Sequence, residues 1–360
     1  MSKVLVVGAG KIGRRIACVL SDSGVEVTVL DQELRALSAV EGRMRTVLRD
    51  FRSPGQMNGV MRGHDAVISA VYHTSNPEVA KAALETGVSY FDLTEDVAST
   101  RQIMELAARA RAGQIFMPQC GLAPGFVSIV AGDIASRLDT VDTLHLRVGA
   151  LPQFPENHLR YNLTWSTDGL VNEYCNPCDA IVDHERVTVQ PLDGVEHFSL
   201  EGINYEAFNT SGGLGTLAES MCGKVRELNY KTLRYPGHRD LMQFLLHDLK
   251  FKYNRQDLID LLDTNLPTTR QDVVVTFCTA TGWKGTRYVH LTDCRQIYGD
   301  EFWTAIQVTT AAGVCAVVDL FLHGKIAGTG LIRQEQVSLD DFLSSYFGYA
   351  YHSPARKVAA

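Results

Sequence analysis

A β-strand that runs directly into a glycine-rich turn constrains this chain more than any other feature. Residues 4–7 read Val-Leu-Val-Val, and Gly8, Gly10 and Gly13 follow in the spacing Gly-x-Gly-x-x-Gly. The first glycine permits a tight turn, the second lets the backbone approach a pyrophosphate, and the third lets a helix pack on the strand. Anions are favoured at that helix N-terminus. The turn therefore predicts dinucleotide binding by Gly8, Gly10, Lys11, Ile12 and Gly13; the alternative is a glycine-rich turn of another α/β unit.

A second apolar strand, residues 25–30, ends on Asp31, at the distance where an acidic residue binds the adenosine ribose. A carboxylate there accepts hydrogen bonds from both ribose hydroxyls and repels a 2′-phosphate, which favours NAD over NADP. Arg14 and Arg35 leave NADP open, because a nearby arginine can accommodate the phosphate.

Further cofactor contacts are expected where the next strands end. Asp50 and Phe51 follow the third strand and are predicted to flank the adenine, the alternative being an ordinary strand-end turn. Ala70 and Val71 end the fourth strand, over the crevice where such sheets bind ligands. Tyr72 comes next and is a candidate for the substrate pocket.

The first 120 residues alternate between strand and helix patterns, which predicts an α/β, Rossmann-type, doubly wound parallel sheet. Strands are predicted at 3–7, 25–30, 45–48, 66–70, 89–92 and 114–117. Helices are predicted at 11–22, 32–40, 54–61, 76–86 and 97–112.

From about residue 140 the pattern changes to that of an α+β domain. Antiparallel strands are predicted at 144–149, 187–190, 273–281, 287–292 and 302–310, and helices at 216–225 and 240–249. A long apolar helix at 311–322, ended by Gly324, is expected to return to the first domain. We therefore expect a dinucleotide-binding domain of residues 1–125, completed by about 311–360, and a substrate and oligomerisation domain of residues 126–310. Disorder is expected from about Ser353.

Composition excludes several function classes. The chain has 360 residues and a net charge of −7, which argues against nucleic acid and an anionic membrane as partners. No signal sequence is expected, because the first predicted strand begins at residue 3, and the apolar run at 311–322 is short for a membrane span and carries Asp319. Eight scattered cysteines do not resemble a disulfide framework, so a reducing cytoplasm is expected. Cys175 and Cys178 form a Cys-x-x-Cys without a second ligand pair, so no metal site is predicted.

Several longer stretches carry a family resemblance. Residues 76–87 read Asn-Pro-Glu-Val-Ala-Lys-Ala-Ala-Leu-Glu-Thr-Gly, and residues 121–125 read Gly-Leu-Ala-Pro-Gly. Tyr161-Asn162 precedes residues 170–174, Glu-Ala-Phe-Asn-Thr-Ser-Gly-Gly occupies 206–213, and Tyr-Lys-Thr-Leu-Arg-Tyr-Pro-Gly-His occupies 230–238. Together, in this order, they resemble the saccharopine dehydrogenase superfamily, and within it most closely the lysine 6-dehydrogenases.

The resemblance implies a nicotinamide-dependent oxidation at a carbon that bears an amine. A lysine 6-dehydrogenase oxidises the ε-amine of L-lysine to an imine, which hydrolyses to the semialdehyde with release of ammonia; the aldehyde then cyclises to a piperideine carboxylate. The alternatives are a saccharopine or carboxynorspermidine type of enzyme, which needs more than one pocket arginine (Arg147 and Arg160 are candidates), and a non-catalytic NAD-binding protein. A small amino-acid substrate and a homodimer or homotetramer, formed through the sheet of the second domain, are implied.

In the second domain, Arg234 is the predicted partner of a substrate carboxylate, because its fork binds carboxylates bidentately. The alternative is a surface ion pair. His238 is a candidate general base, a polar pocket wall or a structural histidine. Thr210, Ser211 and Gly212 form a loop suited to a carboxylate or amine, or a plain turn.

In the first domain, Asp92 and Asp96 follow the fifth strand, and one of them could balance the substrate ammonium or accept its proton. Asp92 could equally be a turn or cap residue. Cys120 and Gly121 are expected near the nicotinamide, although amine oxidation by NAD needs no covalent intermediate. Tyr161 and Trp165 could line the substrate cavity or pack in the core.

Overall fold

The computed structural model describes residues 1–51 and 54–352, which form two compact units. Unit 1 comprises residues 1–129 and 307–350, and unit 2 comprises residues 130–306 with Tyr351 and His352. The returning segment of unit 1 thus begins at residue 307 and ends at residue 350. The disorder expected from Ser353 falls outside the described residues.

The amino-terminal part alternates strand and helix. Its elements are β1 (Lys3–Val7), α1 (Lys11–Asp22), β2 (Glu26–Asp31), α2 (Leu34–Ser38), β3 (Arg45–Leu48), α3 (Pro54–Met61), β4 (Ala66–Ser69), α4 (Asn76–Thr86), β5 (Ser89–Asp92), α5 (Val97–Ala107), β6 (Ile115–Met117) and α6 (Phe126–Ser136). Most bounds agree with the sequence patterns within two residues, but α2 and α5 are shorter than predicted.

Unit 2 consists of β7 (Thr140–Pro152), α7 (Thr167–Cys175), β8 (Cys178–Val182), β9 (Glu185–Val189), β10 (Glu196–Leu200), β11 (Ile203–Asn209), α8 (Leu217–Ser220), β12 (Val225–Arg234), α9 (His238–Gln243), α10 (Arg255–Asn265), β13 (Asp272–Lys284) and β14 (Arg287–Tyr298). A π-helical turn, Phe244–Asp248, continues α9. The chain then enters α11 (Ala305–Leu322), β15 (Gly330–Leu331) and α12 (Leu339–Ser344).

The sheet of unit 1 is parallel throughout, in the order β15-β6-β5-β4-β1-β2-β3. The strand order reverses between β1 and β4, and ligands of such sheets bind at the carboxyl ends of the strands there. One face packs on α3, α4 and α5 through a core that includes Val7, Tyr90 and Ile103. This is the predicted Rossmann-type sheet.

The other face of this sheet carries α1 and α11. Phe321 of α11 lies with its ring centroid 5.5 Å from that of Phe91 on β5, and a Cβ on Gly313 would stand 2.7 Å from the Gly121 carbonyl oxygen. This helix is long and apolar enough to cross a membrane by length and composition, but 61% of it is buried inside the protein. The expected apolar helix at 311–322 was too short, because the helix begins at Ala305. Its contacts with Phe91 and Gly121 are nevertheless those of a core helix.

The sheet of unit 2 is mixed, in the order β10-β11-β12-β7-β13-β14, with β8 pairing β12 and β9. The expected antiparallel arrangement is wrong at its centre, because β12 runs parallel to β7. A helical core of α7, α9 and α10 gathers around Tyr161 and Phe208. The helix predicted at 216–225 is only α8, and β12 begins at Val225.

The strand predicted at 302–310 is instead a turn followed by the first residues of α11. The run Val308-Thr309-Thr310 has β-branched side chains, which favour strands in isolation. The carboxylate of Asp272 accepts hydrogen bonds from the backbone N–H groups of Ala305 and Ile306, at 2.6 and 3.1 Å. This cap from a distant strand starts the helix at Ala305.

Candidate active site

The glycine turn has the geometry that a dinucleotide requires. Gly8 has φ +102°, and a Cβ on it would stand 2.6 Å from the Ala70 carbonyl oxygen. A Cβ on Gly13 would lie 2.0 Å from the carbonyl oxygen of Gly8, so α1 can approach β1 only because this residue is glycine. Gly10 is the N-cap of α1 with no side-chain cap, and the space around it is open. The first N–H groups of α1, from Lys11, Ile12 and Gly13, therefore border a space that fits a pyrophosphate.

Ala70 and Val71 support this turn. The backbone N–H of Ala70 donates to the carbonyl of Val7 at 2.8 Å, and a Cβ on Gly8 would meet the Val71 side chain at 3.1 Å. Tyr72, the next residue, is 52% exposed and its ring lies 4.4 Å from that of His73. The structure therefore brings Ala70 and Val71 to the cofactor turn.

Asp31 ends β2 beside the same turn. Its Oδ2 accepts the backbone N–H of Ala9 at 2.6 Å, and its Oδ1 accepts that of Glu33 at 2.8 Å. Each carboxylate oxygen keeps a further lone pair, so the group can still accept from ribose hydroxyls. Asp31 thus also holds the glycine turn, a second role that the motif alone did not indicate.

A cleft of about 520 Å³ opens beside the carboxyl ends of β2 and β3. Its walls are formed by Gln32, Glu33, Leu48, Arg49, Asp50 and Gln56. Asp50 lines this cleft, as expected of an adenine contact. Phe51 does not: its side chain is 8% exposed and packs in the core, so the prediction that it flanks the adenine is wrong. Sequence reasoning missed Arg49, whose strand-end position beside Asp50 was the available signal.

Asp92 lies at the carboxyl end of β5 and is fully buried. Its carboxylate accepts hydrogen bonds from the Tyr90 hydroxyl at 2.8 Å and from the backbone N–H groups of Gln119 and Thr94 at 2.8 and 3.0 Å. Burial raises the pKa of this carboxyl from 3.8 to about 6. Asp92 thereby ties β5 to the loop after β6, where Gln119 adopts φ +67°.

Two neighbouring candidates have structural roles. Asp96 is the N-cap of α5, where its Oδ1 accepts the Ser99 N–H at 2.7 Å, so its expected catalytic role is not supported. Burial raises the pKa of the Cys120 thiol well above its ordinary value, and Gln334 donates to its sulfur at 3.1 Å. A protonated buried thiol is a poor nucleophile. Gly121 follows it, packed against Gly313 of α11.

In unit 2, Arg234 ends β12 and is 2% exposed. Its guanidinium lies 5.2 Å from the centroid of the Tyr161 ring and 5.9 Å from that of Tyr174. Its Nη1 donates to the Leu233 carbonyl at 2.8 Å, and its Nε is buried without a hydrogen-bond partner. Over residues 1–51 and 54–352, the ion pairs do not include Arg234, although the negative charge of the buried Glu173 acts on its guanidinium. The surface ion pair considered from the sequence is therefore wrong.

His238 lies directly beside Arg234 and is fully buried. Burial, with the positive charge of Arg234, lowers the pKa of His238 to about 3. Its Nδ1 bonds the Leu159 carbonyl at 2.9 Å, and its Nε2 bonds the Tyr174 hydroxyl at 3.1 Å. Both ring nitrogens are occupied, so the expectation of a general base is wrong and the structural alternative holds.

The loop of Thr210, Ser211 and Gly212 follows β11 and is mostly buried. The hydroxyl of Thr210 lies 2.8 Å from that of Thr232, and the Ser211 N–H donates to the Glu173 carbonyl at 3.0 Å. Gly212 has φ +85°, a left-handed backbone conformation that glycine adopts at little steric cost. The loop therefore links β12 to α7, the helix that carries Tyr174.

The other arginines considered for the pocket are placed differently. Arg147 binds Glu196 through two hydrogen bonds, at 2.8 and 2.9 Å, and Asn229 through a third. Arg160 is exposed. Tyr161 is buried in the helical core with Trp165 against it, as the packing alternative expected. Within the described ranges no three His, Cys, Asp or Glu side chains group as metal ligands, and burial raises the pKa values of Cys175 and Cys178.

Residues 4–117 match the family described as "Saccharopine dehydrogenase NADP binding domain", and residues 121–348 match "Saccharopine dehydrogenase C-terminal domain". A saccharopine dehydrogenase [NADP(+), L-glutamate-forming] of Pyricularia oryzae is 27% identical over 68% of this chain and 56% of its own length. The mouse mitochondrial alpha-aminoadipic semialdehyde synthase is 24% identical over 66% of this chain and 27% of its own. The chain therefore spans less than two thirds of either relative.

Among solved structures, apo saccharopine dehydrogenase (L-Glu forming) from Saccharomyces cerevisiae has the same fold. It superposes with a TM-score of 0.74 over 96% of this chain and 98% of its own, at 16% identity. With two family matches that together cover nearly all described residues, and a glycine turn shaped for a dinucleotide, the chain belongs to the saccharopine dehydrogenase family of oxidoreductases and carries its NAD(P)-binding domain.

Proposed function

We propose that the chain is an NAD-dependent dehydrogenase that oxidises the ε-amine of L-lysine. The family supports an oxidation at an amino-acid carbon that bears nitrogen. The observation that carries the finer proposal is Arg234, a buried guanidinium whose Nε has no hydrogen-bond partner. The charge of the buried Glu173 acts on it, but a buried guanidinium with an unused donor is costly unless a further acceptor arrives. The α-carboxylate of an amino acid supplies that acceptor with matched geometry.

A single carboxylate in the substrate is favoured over several. Saccharopine and the carboxylated polyamines are longer, and saccharopine needs additional cations for its additional carboxylates. Arg147 is already engaged by Glu196 and Asn229, and Arg160 is exposed. Of the three arginines considered, Arg234 therefore remains as the one suited to a substrate carboxylate, which supports lysine over saccharopine.

The proposed oxidation removes one hydride and two protons from the lysine side chain. The lysine ε-ammonium loses a proton to become a neutral amine, and the ε-carbon then gives up a hydride. When bound, NAD would supply the hydride acceptor, and the glycine turn and Asp31 would hold its pyrophosphate and ribose. The amine loses a second proton as the imine forms, and water converts the imine to the semialdehyde and ammonia. His238 is too weak a base for these transfers.

NAD is the proposed cofactor because Asp31 places a carboxylate at the ribose position. NADP is the alternative, since the matched family is described as NADP-binding and Arg49 lines the cleft beside β3. The second candidate function is the saccharopine dehydrogenase activity named for the fungal relatives. A non-catalytic NAD-binding protein is the third.

Arg234→Met and Arg234→Lys test the proposal, with L-lysine compared against cadaverine, which lacks the carboxylate. The wild-type protein is expected to prefer L-lysine in kcat/KM, and Arg234→Met to lower that preference about ten- to hundredfold, the worth of hydrogen bonds to a charged group. Arg234→Lys keeps the charge without the fork and falls between. Arg160→Met is the matched control and should behave as wild type. An unchanged preference in Arg234→Met would refute the carboxylate assignment.

A further inference from the structure

The hydrogen bonds around His238 fix where its proton lies. The Leu159 carbonyl, 2.9 Å from Nδ1, can only accept, so Nδ1 carries the hydrogen. Burial and the charge of Arg234 lower the pKa of His238 to about 3, so the ring is neutral and Nε2 is a bare acceptor. The ring is also held between aromatic neighbours, with its centroid 6.4 Å from that of Phe208 and nearly parallel to it.

The Tyr174 hydroxyl, 3.1 Å from Nε2, must then be the donor in that bond. Burial raises the pKa of Tyr174, so the hydroxyl keeps its proton. With that proton on His238, the lone pairs of Tyr174 Oη are left as acceptors for Arg234, whose guanidinium carbon lies 5.9 Å from the centroid of the Tyr174 ring and whose N–H groups can only donate. Tyr174 therefore donates to His238, His238 donates to the Leu159 carbonyl, and the Tyr174 hydroxyl faces no competition from its own proton when it accepts from Arg234.

The backbone that carries His238 is anchored separately. Glu206, on β11, accepts the N–H groups of Gly237 and Arg239 at 2.9 and 2.6 Å. This carboxylate is 3% exposed and lies on the strand register opposite Arg234. The turn before α9 is therefore fixed, and the imidazole has one placement from which to reach both Leu159 and Tyr174.

We propose that Tyr174 and His238 are positioning residues that hold the Arg234 guanidinium for a substrate carboxylate, and that His238 takes no part in proton transfer. This inference rests on the proposed function, because it assigns Arg234 that ligand. The Tyr-Pro-Gly-His segment, residues 235–238, then serves substrate binding and not acid–base chemistry.

The tautomer is tested without activity, on the full chain labelled with ¹⁵N-histidine. The signal of His238 among the eleven histidines is assigned by its loss in His238→Gln. We expect a protonated Nδ1 and an unprotonated Nε2 that do not change between about pH 5 and 8, the range in which ordinary histidines titrate. Titration in that range, or a proton on Nε2, would overturn the inference.

Kinetics test the positioning. Tyr174→Phe should raise KM for L-lysine about tenfold, with little change in kcat and none in cadaverine turnover. His238→Gln keeps an acceptor and should be milder than His238→Leu, while Tyr174→Phe/His238→Leu should be no worse than the more affected single variant. Tyr161→Phe, which keeps its ring near Arg234, is the control. If the effects of Tyr174→Phe and His238→Leu on KM multiply in the double variant, the positioning role is wrong. If the His238 tautomer is as expected but the wild-type protein does not prefer L-lysine over cadaverine, the proposed function is wrong instead.

Discussion

The carboxyl group of Asp92 is enclosed by the protein and held by neutral donors. Burial raises its pKa from 3.8 to about 6. A carboxyl whose pKa is raised on folding stabilises the folded state below its unfolded pKa, and this contribution is lost as the pH rises through the folded pKa. A shift of this size corresponds to roughly 3 kcal/mol. Asp92 should therefore lower the free energy of unfolding as the pH rises from about 4 to about 6.

Asp92→Asn should remove this pH dependence. The amide is nearly the same shape, keeps an oxygen for the Gln119 and Thr94 N–H groups, and does not ionise. Urea unfolding of both proteins across about pH 4 to 7 should show the wild type losing roughly 3 kcal/mol relative to the variant over the window. Parallel stability curves would show that the carboxyl is not enclosed as described.

The sequence predicted where several site residues lie better than it predicted their burial or protonation. Asp31 and Arg234 were located because strand ends and a family motif mark them. The burial of Phe51 and the proton on His238 Nδ1 each depend on a neighbour brought in by folding. No pattern within the sequence specifies such a neighbour.

Among the elements, the turn between β1 and α1 contains glycines that are needed for two different reasons. Gly13 is required by packing, because a Cβ there would lie 2.0 Å from the carbonyl oxygen of Gly8. Gly10 has no atom within 4 Å of an added Cβ and has φ −67°, which alanine adopts freely. Packing therefore does not require glycine at this position, as expected where a side chain would instead obstruct a bound pyrophosphate.

Gly10→Ala and Gly13→Ala form a matched pair for this interpretation. Gly10→Ala should keep the wild-type thermal midpoint and weaken NADH binding about ten- to hundredfold, since the methyl group separates the pyrophosphate from its N–H donors. Gly13→Ala should lose about 1–3 kcal/mol of stability through overpacking. The Tm reports the stability of each variant, and fluorescence titration reports its affinity for NADH. A Gly10→Ala protein that binds NADH as tightly as wild type would contradict the placement of the pyrophosphate.

The start of α11 illustrates why some elements could not be predicted. Local β-branched residues favour a strand up to Thr310, and the apolar period begins clearly only at Ala311. The helix starts at Ala305 because the Asp272 carboxylate receives two N–H groups there. The capping residue is more than thirty positions away, on β13, so a local reading of residues 302–310 misses it.

For the whole molecule, unit 1 was predictable because each β-α step is local and a parallel sheet requires the alternation. Unit 2 was not, because β12 pairs with β7 across some eighty residues, and in parallel. Arg234, at the end of β12, is placed by this non-local pairing. The fold of the cofactor unit therefore followed from the sequence, whereas the environment that makes Arg234 a buried cation did not.

We propose that this fold oxidises the primary amine of L-lysine. The most direct measurement is NADH formation by the purified chain with NAD and, in separate reactions, L-lysine, saccharopine, ornithine and carboxynorspermidine, at mildly alkaline pH. We predict turnover with L-lysine, with one ammonia released for each NADH formed. Turnover of saccharopine or carboxynorspermidine, with none of L-lysine, would contradict it.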